Sequence, residues 1–201
     1  MSRPAFTNET PQDMTREQMI AKVAGLIKDI NIAMLTTEAE DGLLHSRPMA
    51  TQKTEFDGTL WFFTGLSTGK VSEIDWNPEV NLSYAEPKDT RYVSVSGSAE
   101  ILHDRAKMQE LWSDIYKAWF PQGLDDPDLC LMKVEVSFAE FWDVPSGKMV
   151  QVFGFLKALA TGERLKMEGE SHGVVEIPTG KARAAVVAGA EAARDRDYID
   201  E

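Results

Sequence analysis

Apolar positions along this chain change their period several times, and each change marks an element. In "TREQMIAKVAGLIKDI" the residues Met19, Val23, Leu26, Ile27 and Ile30 recur at helical spacing. Thr15, followed three residues later by Gln18, reads as the capping box that opens that helix. From Asn31 the period shortens, and "NIAMLTTEAEDGLLHSRPMATQ" predicts two strands around an Asp41-Gly42 turn. A second Asp-Gly pair, Asp57-Gly58, leads into the strand "TLWFFT". "STGKVSEIDW" predicts a short helix, stopped by Asn77-Pro78. "EVNLSYAE" and "RYVSVSGSAEIL" follow as strands, the second alternating Tyr92, Ser94 and Ser96 against Val93 and Val95. "DRAKMQELWSDIYKAWF" predicts one amphipathic helix capped by Asp104. After the loop "PQGLDDPD", the run "LCLMKVEVSFAEFWDV" predicts a long last strand.

About six strands at short spacing, joined by hairpin turns, predict a mainly β, α+β fold: an antiparallel barrel with helices at its flanks. Residues 1–14 form a polar leader and 15–145 the barrel domain. Beyond it the character changes, and 146–201 reads as a C-terminal extension. There "GKMVQVFGFLKALATGE" has helical character, "GVVEI" suits one edge strand, and the end is Ala-rich. Such an extension packs, swaps onto a partner or stays mobile. No internal repeat is visible.

Composition narrows the function more than the fold. The chain has 201 residues, 43% hydrophobic and 27% charged, enough for one domain with a real core. A formal net charge of −12 argues against nucleic acid, whose phosphates are bound by clustered Lys and Arg, and against an anionic membrane surface. No apolar run approaches the roughly 18 to 20 residues that span a bilayer. The polar start lacks a secretory signal, and the single cysteine, Cys130, excludes an internal disulfide. A cytoplasmic protein is the expectation.

The candidate chemistry is sparse. His45, His103 and His172 lie far apart with no partner at metal-ligand spacing, so no metal site is expected. "SVSGSAE" lacks the first glycine of a nucleophile elbow, and the acidic residues are scattered, so no catalytic residue is named. What remains is the turn "TGLSTGKVSEI". A nucleotide P-loop needs four residues between its glycines and a hydroxyl after the lysine. Here Gly65 and Gly69 enclose three, and Val71 follows Lys70. A helix opening near Thr68 still points free N–H groups and its positive dipole end at an anion. Ser67, Thr68 and Lys70 add donors. Arg47, in "HSRPMA", lies on a strand from which a guanidinium can fork onto a phosphate. The plain alternatives are a Ser/Thr cap, a solvated lysine and a surface arginine.

The ordered set "SRPM", "LWFFT", "STGK", "NPEVNLSY", "YVSVSGSAEIL", "LWSDIYKAWFPQGLDDPDLCLMKVEV" and "AEFWDV" resembles the flavin-binding split-barrel proteins related to pyridoxamine 5′-phosphate oxidase. Within them it looks most like the general stress protein 26 group, from about Thr15 to Trp142. The resemblance implies a six-stranded split barrel that binds FMN, as a homodimer with the flavin between subunits. Arg47, Pro48 and Met49 then match the strand along the ribityl chain and ring. Phe63 and Thr64 match the next strand's contacts, and Ser67, Thr68 and Lys70 match the phosphate turn. Trp119 and Trp142 lie at element ends where a ring could cover the flavin, whereas Trp61, Trp76 and Trp112 read as packing. Two departures matter. Thr68-Gly69-Lys70 stands where the oxidase usually has Ser-Arg-Lys, so one phosphate charge is missing. "FWDVPSGKM" replaces the Arg- and His-bearing end that holds pyridoxal phosphate, which argues against pyridoxamine phosphate oxidation.

Two readings follow. One is a flavin-dependent oxidoreductase of the stress-protein type; the other is a non-catalytic flavin carrier or sensor. Deazaflavin is disfavoured by the acidic chain, and haem by the absence of a ligand histidine.

Overall fold

The computed structural model describes residues 15–52, 54–143 and 171–177. The leader 1–14 and the helical segments expected in the C-terminal extension fall outside the described residues. The elements in chain order are helix α1 (Arg16–Ile27), strands β1 (Ile32–Glu38), β2 (Leu44–Ala50) and β3 (Thr59–Gly65), and helix α2 (Gly69–Trp76). Strands β4 (Glu79–Glu86) and β5 (Arg91–Leu102), helix α3 (Arg105–Leu111) and strands β6 (Leu129–Asp143) and β7 (Ser171–Glu176) follow.

Local chemistry explains the joints. The Thr15 hydroxyl accepts from Gln18 N–H, and the Gln18 side chain accepts from Thr15 N–H, closing the capping box of α1. At both Asp-Gly turns an Asp carboxylate takes the N–H two residues on, Asp41 from Leu43 and Asp57 from Thr59. The glycines between them, Gly42 and Gly58, sit at φ of 81° and 106°, where a side chain would be strained.

The strands pair antiparallel in the order β2-β1-β4-β5-β6-β3, the curled six-stranded sheet of the split barrel, with β2 and β3 as the ends of that path. Alternation sets its inside. Val93 and Val95 of β5 are buried, and Ala33 and Leu35 of β1 face the same core, roofed by Val23, Leu26 and Ile27 of α1. A smaller cluster on the outer side of β3 packs Met108 and Leu111 of α3 with Phe120, Leu129 and Leu131.

Two features depart from simple hairpins. Between Ser96 and Gly97 the β5–β6 register shifts by one residue, a bulge on β6. A Cβ on Gly97 would lie 2.3 Å from the carbonyl oxygen of Glu135. In addition, β6 outruns β3. Its first half pairs β3, and its second half, from Phe138 to Asp143, pairs β7. The edge strand expected at "GVVEI" is thus β7, and it leads into Ile177, which is buried in the main core.

The single helix expected over "DRAKMQELWSDIYKAWF" is instead two pieces. α3 opens on the Asp104 cap and ends at Leu111. Trp112 is extended at ψ 136°, and a 3₁₀ turn runs from Asp114 to Ala118. The break lets Trp112, Tyr116 and Phe63 meet as a trio, with ring centroids 4.8–5.8 Å apart. Packing against β3 overrides helical periodicity here. Among the described residues no helix is long and apolar enough to cross a membrane.

Candidate functional site

The turn after β3 is built by a residue far along the chain. Asp128, just before β6, accepts from the Leu66 N–H through its carbonyl at 2.8 Å. Its carboxylate accepts from the Ser67 N–H at 2.7 Å and the Ser67 hydroxyl at 3.0 Å. Its own N–H donates to the Asp126 carboxylate at 3.1 Å. Gly65 permits the approach, since a Cβ there would lie 2.3 Å from an Asp128 carboxylate oxygen. Ser67 is thereby committed to Asp128.

α2 then opens without a side-chain cap and without an acidic residue in its first turn. The Thr68 hydroxyl turns back to donate to the Gly65 carbonyl at 2.7 Å. The first-turn N–H groups keep the partial positive charge of a helix start. Lys70 folds back over this start, its ammonium donating at 3.0 Å to the Thr64 and Thr68 hydroxyls. It is half-buried and makes no ion pair among the described residues. Burial first, and the charge of Arg47 second, lower its pKa from the usual lysine value. A cation kept in a partly dry place with only hydroxyl partners is an anion's counterpart.

The open space beside Lys70 is a cleft of about 430 Å³, within the range of small-molecule sites. Pro48, Met49, Phe63, Thr64, Thr68, Lys70 and Trp119, all singled out from the sequence, line it. Aromatic and aliphatic side chains form its length. Thr64, Thr68, Lys70 and Asp128 gather at one end. The shape and chemistry suit an elongated ligand with an apolar planar body and an anionic tail. A larger cavity of about 610 Å³ lies against α1, but none of the candidate cofactor-binding residues lines it, and among the described residues the cation that lines it is the exposed Lys28.

Three residues singled out from the sequence stand elsewhere. Ser67 holds Asp128. Trp142 is not brought to the cleft within the chain. It faces Tyr92 across β5–β6, roughly 40 Å of strand beyond Cys130, which pairs with Thr64 at the cleft. Arg47 is near the cleft but engaged. Its guanidinium donates to the Thr37 hydroxyl through one nitrogen and to the Glu73 carboxylate at 2.6 Å through the other. Glu73 also binds Thr37 and, at 2.6 Å, the His45 ring. Burial raises the Glu73 pKa, but these three partners and the Arg47 charge outweigh it and hold the carboxyl down at about 2.

Sequence reasoning missed Glu73 and Asp128. Neither carries a local signal, because each is defined by partners on other elements. Cys130 is also beside the site, its thiol donating to the Thr64 carbonyl at 3.3 Å. Burial, aided by the Asp128 charge, pushes it up to about 11, so it stays an unreactive thiol at neutral pH. Among the described residues no group of three or more His, Cys, Asp or Glu is placed to hold a metal ion.

Residues 18–166 match the sequence model of a family described as pyridoxamine 5′-phosphate oxidase like. Protein bli-3 of Neurospora crassa is 28% identical over 135 residues, which span 62% of this chain and 65% of that protein. Among solved structures, a candidate general stress protein 26 from Jannaschia sp. CCS1 aligns with a TM-score of 0.62 at 25% identity. The alignment covers 78% of this chain and 96% of that one. A general stress FMN/FAD binding protein from Xanthomonas citri aligns with a TM-score of 0.55 at 26% identity, over 63% of this chain and 89% of its own.

Proposed function

The chain belongs to the pyridoxamine 5′-phosphate oxidase-like family, and from that premise we propose that it binds FMN in the cleft beside Lys70 as a general stress type flavoprotein. The observation that carries the reading is Lys70 itself: a half-buried ammonium without an ion pair, at an uncapped helix start, closing one end of an aromatic cleft. In this reading Lys70, the Thr68 hydroxyl and the first-turn N–H groups of α2 hold the phosphate. Pro48, Met49, Phe63 and Thr64 flank the rest of the flavin, and Trp119 covers its rim. Bound FMN supplies one- and two-electron redox chemistry. The protein supplies binding, orientation and exclusion of water.

An oxidoreductase role follows if the bound flavin is reduced by a nicotinamide nucleotide and passes its electrons to an acceptor. A flavin that exchanges no electrons under those conditions leaves the carrier or sensor role. The direct test of the cleft compares FMN with riboflavin. Each charge-assisted hydrogen bond to the phosphate contributes about 1.5 to 3 kcal/mol. FMN is therefore expected to bind at least tenfold more tightly than riboflavin by fluorescence quenching. Equal affinities would remove the phosphate assignment.

The partner we propose is a second copy of the chain. Ile32, Ile115 and Trp119 are 51%, 67% and 66% exposed, and all three border a hollow that adjoins the mouth of the cleft. Exposed apolar side chains gathered at a ligand site suit an interface that completes it. Light scattering is expected to give the mass of a dimer at micromolar concentration. A monomer that retains FMN would count against it.

A further inference from the structure

We infer that Glu73 competes with the ligand's phosphate for Arg47, and so sets how strongly the cleft prefers a phosphorylated flavin over an unphosphorylated one. The inference rests on the flavin reading of the cleft, and it assigns a specificity role to a residue outside the cleft's lining.

Glu73 projects from α2 one helical turn after Gly69 and Lys70, so it shares the helix whose start forms the anion site. Both of its carboxylate oxygens are engaged: Oε1 by His45, Oε2 by Arg47 and Thr37. Its side chain is only 13% exposed, which keeps water from screening the pair with Arg47. Arg47 lies close enough to the anion site for its charge to be felt at Lys70. One N–H of each terminal guanidinium nitrogen is committed, to Thr37 and to Glu73. Lys70 and Asp128 at the cleft end, together with the Arg47–Glu73 pair behind them, make two cations and two carboxylates, for a formal sum of zero.

A dianionic phosphate entering this neutral group gains less than it would from two free cations. Asp128 has a structural task, since its carboxylate holds the turn through Ser67. The Glu73 carboxylate bonds only side chains among the described bonds. Its removal therefore changes the charge that a ligand meets more than it changes the turn. Gln in its place keeps an oxygen acceptor for Arg47 and Thr37 and removes the charge.

The test is a set of titrations with FMN and riboflavin on the parent, Glu73→Gln, Arg47→Met and the double variant. Glu73→Gln is expected to bind FMN at least tenfold more tightly than the parent, with riboflavin unchanged within twofold. The double variant is expected to lose that gain. Arg47→Met alone is expected to weaken FMN less than Lys70→Ala does, because Arg47 is already compensated; this variant decides the matter if Glu73→Gln does not fold. Weaker FMN binding by a folded Glu73→Gln, or equal changes for both flavins, would make Glu73 a brace for Arg47 and overturn the inference. Binding of neither flavin by the parent would defeat the flavin reading instead. Inorganic phosphate then decides on Glu73: a larger rise in melting temperature for Glu73→Gln than for the parent supports competition, and equal rises refute it.

Discussion

Lys70→Ala is expected to bind FMN ten- to a hundredfold more weakly than the parent while melting at the same temperature or higher. The binding loss follows from the position of the ammonium. Gly69 supplies no second cation and Glu73 compensates Arg47, so Lys70 is the charge left for a phosphate. One charged hydrogen bond on the scale of about 1.5 to 3 kcal/mol gives that range. The stability result has the opposite sign for a physical reason. The folded-state pKa of Lys70 is lowered, so the charged form is disfavoured by folding. That cost is fully present below the folded-state pKa and disappears as pH rises through it toward the ordinary lysine value. Removing the amine removes the cost. Lys70→Arg separates charge from shape, because a planar guanidinium replaces a compact point charge. Titrations at two salt concentrations, with thermal melts of the ligand-free proteins, check both halves. An Ala variant that binds FMN like the parent at low salt would show Lys70 to be an ordinary surface cation.

Gly97→Ala is expected to be the most damaging small substitution in the sheet, lowering stability by about 3 kcal/mol or more on the scale of overpacked interiors. The new methyl would lie 2.3 Å from the Glu135 carbonyl oxygen, 2.9 Å from its carbon and 3.0 Å from the Val136 Cα. All three atoms are backbone of β6, so no side chain can move aside. Relief requires the bulge at Ser96 and Gly97 to open, which strains the longest pairing in the barrel. Gly25→Ala is the matched control. It sits within α1 with nothing within 4 Å of the added methyl, and it is expected to gain about 0.5 to 1 kcal/mol from helix propensity. Urea midpoints of the two variants should move in opposite directions. A Gly97→Ala midpoint equal to the parent's would mean that the bulge is soft.

Much of the fold is legible because its signals are local. The capping box at Thr15, the two Asp-Gly corners and the alternation of Val93 and Val95 each need only a few neighbouring residues. The α3 region is less legible. Its helical spacing runs on through Trp112, and only the Phe63 ring, from a distant strand, explains why the helix stops. At the site, Pro48, Met49, Phe63, Thr64, Thr68, Lys70 and Trp119 follow from resemblance and are gathered by the fold. The carboxylates are what local reading cannot reach. Glu73 meets Arg47 across 26 positions and Asp128 meets Ser67 across 61, and the chain has 33 acidic residues from which to choose. A cation is visible in a sequence; whether another side chain already neutralises it is not. Trp142 illustrates the same limit, since its distance from Thr64 depends on how far β6 outruns β3.

The pairing of β3 with β6 also bears on the order in which the molecule can assemble. The β1–β2 hairpin closes a short loop, with Glu38 opposite Leu44, whereas the Ser67–Asp128 contact closes over 61 positions. Loop closure on that scale costs about 2 kcal/mol more than the hairpin in chain entropy, before any contact rewards it. Helix α2 and the β4–β5 hairpin lie inside that loop and can form while it is open. The anion turn cannot take its final shape until β6 docks and Asp128 arrives. The cleft therefore lies on a late-closing seam of the barrel. A ligand held there favours the completed fold over every partly assembled form that still lacks the seam.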